Sequence, residues 1–245
     1  MKNQTHSLFI ITGASKGLGR AMVQHLTKNP KHEVVGVSRS PIPSTTNYKH
    51  VAIDLADLSK LRNALPEIFP KGDYDKVILV NNAGWIGEIA PLGKLDPEGI
   101  NAIHQINIVA PAVLMNAFIS NYKALKAQKT VVNISSGAAG KAVDGWSGYC
   151  ASKAALNQMT LVADAESKLN HYGIRYYALS PGIIDTPMQE NIRSAGKENF
   201  SQIEKFKNFK SQNELSSPED TAKKVMYLIE NRDEFTEVLQ DVREF

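Results

Sequence analysis

A chain of 245 residues and 26.9 kDa, with 42% hydrophobic and 22% charged side chains, has the make-up of a single globular domain. At that length about 70% of the unfolded surface can be buried, so neither disulfides nor a structural metal is needed, and the lone Cys150 rules out an internal bridge. A formal charge of +3 is too balanced for a nucleic-acid binder.

The apolar run Leu8 to Ile11 is too short for a signal core or a membrane span, so a soluble protein of a reducing cytoplasm is expected. Charge is unevenly spread. Residues 1–40 carry Lys2, Lys16, Arg20, Lys28, Lys31 and Arg39 against Glu33, a local +5 that leaves the other 205 residues at −2.

Short apolar, β-branched runs alternate with longer helical patterns, which is the pattern of βαβ units around a parallel sheet. The predicted strands are Leu8 to Thr12, Glu33 to Ser38, His50 to Asp54, Lys76 to Asn81, Thr130 to Ser135, Ile174 to Ser180 and Val238 to Asp241. The helices between them are placed at 17–29, 57–69, 96–122, 147–171 and 217–232. The fold expected is α/β: one Rossmann-type, doubly wound domain over 1–245, with a mostly parallel seven-stranded sheet and helices on both faces. Residues 187–216 depart from the alternation. They are polar and unevenly patterned, and a segment that long outside the sheet reads as a substrate-side lid.

The first strand runs into Thr12-Gly-Ala-Ser-Lys-Gly-Leu-Gly19. Gly13, Gly17 and Gly19 at a strand-to-helix turn let the backbone approach a pyrophosphate, and the helix N-terminus favours its charge. About 20 residues further on, where a carboxylate would bind a ribose 2′-hydroxyl, the chain has Ser38, Arg39 and Ser40. Arg39 can pair with a 2′-phosphate and Lys16 adds a second cation, so NADP(H) is predicted over NAD. Tyr149 and Lys153 stand at i and i+4 and project from one helix face. An ammonium near a phenol stabilises the phenolate, so Lys153 is expected to lower the pKa of Tyr149.

The Gly-rich turn, Asn81-Asn-Ala-Gly84, Tyr149-Cys-Ala-Ser-Lys153, and Pro181 with Gly182 occur in the order and spacing of the short-chain dehydrogenase/reductase family, which the chain resembles over essentially its whole length. The segments NISSGAAGKAVDGWSGYCASKAAL and SPGIIDTPMQ resemble its benzil reductase and sepiapterin reductase branch. The resemblance implies an NADPH-dependent carbonyl reductase, with Tyr149 as general acid and Lys153 also holding the nicotinamide ribose. It assigns Ser136 to polarising the substrate carbonyl, with Ser135 the neighbouring alternative and the thirteen-residue spacing to Tyr149 favouring Ser136. Asn107 takes the fourth catalytic position, holding a water that connects the lysine to solvent.

Cofactor contacts are expected from Gly13, Ser15, Lys16, Gly17, Leu18, Gly19, Arg39, Asp54, Leu55, Asn81, Ala83, Gly84, Tyr149, Lys153, Pro181, Gly182, Ile183 and Thr186. Trp85, Trp146, Met188 and Asp241 are expected at the substrate, and no metal site is read. A 1,2-diketone, reduced to an α-hydroxyketone, is the favoured substrate. The alternatives are a pterin side-chain ketone, a 3-oxoacyl thioester, and a non-enzymatic NADP-binding redox sensor. Apolar positions in helices 96–122 and 147–171 suit a homodimer, with a tetramer as the alternative.

Overall fold

The structure is a computed structural model that describes residues 6–245, so Lys2 of the basic N-terminal stretch lies outside the described residues. Its sheet has seven strands: β1 (Ser7–Thr12), β2 (His32–Ser38), β3 (Tyr48–Ala52), β4 (Lys76–Asn81), β5 (Gln128–Ile134), β6 (Ile174–Ser180) and β7 (Leu239–Asp241). Their order is β3-β2-β1-β4-β5-β6-β7, and every pairing is parallel. The expectation of a mostly parallel sheet thus becomes a wholly parallel one.

Helices α1 (Gly17–Leu26) and α8 (Pro218–Glu230) cover one face, while α2 (Leu58–Ile68), α4 (Ala110–Tyr122) and α5 (Ser147–Leu169) cover the other. The period-two alternation of β1 divides its side chains between them. Phe9 and Ile11 pack with α1 and α8, whereas Leu8 and Ile10 pack with α2 and α4. Several helix starts carry their own signals: Asp57, Asp96 and Ser217 each cap the first turn through a side-chain oxygen.

Several boundaries differ from the sequence reading, and α1 ends at Leu26 where the helix was placed to 29. Strand β3 begins two residues early, because buried Tyr48 pairs with Val34, and it ends before Ile53 and Asp54. Strand β5 starts at Gln128 and stops short of Ser135. The single helix expected at 96–122 is α3 (Pro97–His104) and α4 joined by one π-helical turn, Gln105–Val109. The combined 26-residue span is long and apolar enough to cross a membrane, yet Ala110, Leu114, Phe118 and Tyr122 are buried in the core.

The segment 187–216 contains α6 (Pro187–Arg193) and α7 (Ile203–Ser211). It is less polar than its composition suggests. Ile192, Phe200 and Ile203 join Ile86, Ile103, Ala138, Trp146 and Tyr149 in a third apolar cluster that shares no buried residue with the two sheet cores.

Candidate active site

The strand order reverses between β1 and β4, which lead to β2 and β5 on opposite sides, and the C-terminal ends of the strands open onto a cavity of about 780 Å³. At one end lies the turn after β1. Gly13 and Gly17 have φ of +68° and +50°, conformations that L side chains resist. Helix α1 starts there with no side-chain cap and no acid in its first turn, so its leading N–H groups and dipole face the cavity unopposed. A cavity of this size, bounded by positive-φ glycines and an uncapped helix, fits a dinucleotide pyrophosphate.

Ser15, Lys16 and Leu18 line that end, joined by Arg39 after β2 and by Asp54 and Leu55 after β3. Gly19 does not line the cavity. It is buried, and a Cβ there would overlap the Gly13 carbonyl oxygen and stand 2.6 Å from Asn82 Nδ2, so its role is to let α1 pack against the turn.

Asn81 is likewise corrected. Its side chain is buried within β4 and donates to Asn133 Oδ1 at 2.8 Å. Its neighbour Asn82, which the sequence reading passed over, lines the cavity. Asn82 Nδ2 donates to the Thr12 carbonyl at 2.9 Å, and Thr12 Oγ1 accepts from the Asn82 and Ala83 N–H groups at 3.0 and 2.9 Å. Those bonds tie the glycine turn to the end of β4. The doubled asparagine in the motif was the available signal: one side chain points into the sheet and the next points out of it.

Helix α5 brings Tyr149 and Lys153 to the wall beside Ser136, which follows β5. Lys153 Nζ donates to the Ile134 carbonyl at 2.8 Å and stands 5.8 Å from the Tyr149 ring centroid. Burial pushes the Lys153 ammonium down to about 8. The same burial pushes the Tyr149 phenol above its ordinary value, and a hydrogen bond with the Ser136 side chain opposes that only in part. The expected lowering of the Tyr149 pKa is therefore absent here, since desolvation outweighs the Ser136 hydrogen bond. The two serines separate cleanly: Ser135 Oγ donates to Asn157 Oδ1 at 2.5 Å, leaving Ser136 as the one directed at Tyr149.

Asn107 sits in the π-helical turn and is fully buried, not on the cavity wall. Its Oδ1 accepts from the Trp85 N–H at 2.9 Å, and its Nδ2 donates to the Trp85 carbonyl at 2.9 Å and to Ser152 Oγ at 3.0 Å. It braces the segment after Gly84, and Gly84 lies so close to Lys153 that a Cβ there would be 3.5 Å from Nζ. A π-turn re-aims one side chain off the regular helix face, and here that side chain is Asn107.

Ala83, Gly84, Pro181, Gly182, Ile183 and Thr186 line the middle of the cavity, with Thr186 Cγ2 beside Gly17. Trp85, Trp146, Met188 and Asp241 line the same cavity, as do Phe206 and Phe209 of α7, which had no motif to announce them. Trp146 stacks on Phe200 with ring centroids 5.2 Å apart, and Phe206 packs at 5.3 Å from Trp146. Cys150 packs half-buried against the same cluster.

Comparison with known proteins agrees with this geometry. The family model for short chain dehydrogenase matches residues 7–197. A benzil reductase ((S)-benzoin forming) from Bacillus subtilis (strain 168) is 35% identical, covering 97% of this chain and 99% of its own. Sepiapterin reductase from Bos taurus is 28% identical over 92% of this chain and 90% of its own. Among solved structures, a 4-hydroxyisoleucine dehydrogenase complexed with NADH superposes with a TM-score of 0.80 at 26% identity, covering 97% of this chain and 96% of that one. The chain belongs to the short-chain dehydrogenase/reductase family and to its benzil reductase and sepiapterin reductase-like branch.

Proposed function

We propose that this protein is an NADPH-dependent carbonyl reductase that reduces one carbonyl of a 1,2-diketone to an α-hydroxyketone. The observation that carries the reading is the convergence of Ser136, Tyr149 and Lys153 on the wall of a cavity whose other end is built for a dinucleotide. The bound nicotinamide supplies the hydride. Ser136 hydrogen-bonds the substrate carbonyl oxygen and polarises it for attack. Tyr149, kept protonated by burial, donates its phenolic proton to the developing alkoxide. Lys153, next to it, would hold the nicotinamide ribose when the cofactor is bound, and it stabilises the phenolate left behind and assists its reprotonation.

Arg39 and Lys16 support NADPH over NADH, since both line the end where the adenosine phosphate would rest and the chain after β2 offers no carboxylate there. The benzil reductase relative and the aromatic wall of Trp146, Phe206 and Phe209 support an aryl or other apolar diketone. Exposed Leu161, Val162 and Leu169 on α5 support a homodimer, and the single cysteine suits a cytoplasmic protein. The decisive experiment is Tyr149→Phe. NADPH oxidation with benzil should fall at least a thousandfold while NADPH still binds, and near-normal turnover would refute the mechanism.

A further inference from the structure

The substrate side of the cavity is ringed by cations from three separate elements. Lys141 follows the 3-10 turn Gly137–Gly140, Lys205 belongs to α7, and Arg243 lies in the C-terminal turn Val242–Glu244. All three lie on the β5, β6 and β7 half of the sheet, away from Lys16 and Arg39 on the β1 and β2 half.

Two acids line the cavity, and neither answers these charges fully. Asp54 is at the cofactor end. Asp241 is at the substrate end, but Arg243 already occupies it: Nη2 at 2.5 Å, Nε at 2.8 Å and the backbone N–H at 3.0 Å all donate to its carboxylate. Among the described residues Lys141 and Lys205 form no ion pair. Lys205 Nζ lies 5.8 Å from the ring centroid of Phe209, on the aromatic wall itself. Lys141 is close enough to Asp241 to help hold its carboxyl below the ordinary range. The substrate end therefore combines an apolar wall, a closed Arg243–Asp241 pair and two further cations that stand outside any direct ion pair.

We infer that the carbonyl substrate carries an anionic group, such as a carboxylate, at the end remote from its reacting carbonyl, and that Lys141 and Lys205 hold it at the cavity rim. The inference rests on the carbonyl reductase reading given above. The closed Asp241 also disfavours substrates that would need a free carboxylate to receive an amino group. Both lysines are exposed, so their pull acts largely through the local field and is screened by salt.

The test compares 4-carboxybenzil with 4-carbamoylbenzil, a neutral partner of nearly the same shape, using NADPH at low and high salt. The carboxylate should be favoured in kcat/KM by roughly tenfold at low salt, as expected for two screened ion pairs. High salt should erase most of that ratio, and so should Lys141→Gln combined with Lys205→Gln. Equal rates, preference for the carboxamide, or a preference that survives the double substitution would overturn the inference while leaving the reductase reading intact if both compounds are reduced. Reduction of neither compound, nor of benzil itself, would overturn both.

Discussion

Asn107 bonds both backbone groups of Trp85, accepting from its N–H and donating to its carbonyl at 2.9 Å each, as a paired strand would. Replacing it leaves two half-buried peptide groups without a partner. Asn107→Ala should cost about 1–3 kcal/mol of stability. The loss of kcat should exceed the loss of cofactor affinity, because Gly84 beside Lys153 is freed to shift. Thermal melts with and without NADPH, set beside steady-state rates, check both parts; an unchanged kcat would mean the brace is structural only.

Arg39 is exposed and lines the cavity where a 2′-phosphate would sit. Arg39→Asp should weaken NADPH by roughly 10- to 100-fold, the size of a charge-assisted hydrogen bond, and leave NADH equal or better. Dissociation constants from fluorescence titration decide it, and equal losses for both cofactors would count against a phosphate contact.

Gly19 has no room for a methyl group, since its Cβ would meet the Gly13 carbonyl and the Asn82 amide. Gly19→Ala should lower the melting temperature and weaken cofactor binding together, because the same displacement disturbs the turn and the start of α1. A variant that binds cofactor normally would show that the turn can give way without harm.

Lys153 gives a pH signature. Its folded pKa of about 8 lies below the ordinary lysine value of 10.5, so the unfolded chain binds more protons between those limits. Stability attributable to this residue therefore rises with pH across that window, by on the order of 3 kcal/mol in full. Buried tyrosines such as Tyr48, raised to about 12, act in the opposite sense above pH 10, where the unfolded chain ionises first. The measurement is the difference in denaturant stability between wild type and Lys153→Met at steps from about pH 7 to 10. That difference should move in favour of wild type as pH rises, and a flat profile would contradict the depressed pKa.

The sheet was legible because its strands are continuous apolar runs and the glycine turn follows the first of them. Tyr149 and Lys153 were legible because helical spacing puts them on one face and Ser136 and the glycine motifs stand in family order around them. Other features depended on contacts distant in sequence. Periodicity over 96–122 has no means of showing that one turn widens at Asn107, since the partner that makes the turn worthwhile is Trp85, twenty-two residues earlier. The exchange of Asn81 for Asn82 turned on where β4 ends: Asn81 is its last residue, buried against Asn133, and Asn82 is the first beyond it. The polar look of 187–216 hid Ile192, Phe200 and Ile203, whose burial depends on Trp146 from another part of the chain. The direction of the Tyr149 pKa depended on how deeply α5 is buried, which no local pattern reports.

The third apolar cluster has a bearing on how such an enzyme diversifies. Because its buried residues are separate from both sheet cores, replacing Phe200 or Ile203 reshapes the substrate chamber while the packing of β1, β4 and β5 is left alone. Tyr149 belongs to this cluster too, so such a change reaches the proposed general acid while the sheet beneath the cofactor end keeps its packing.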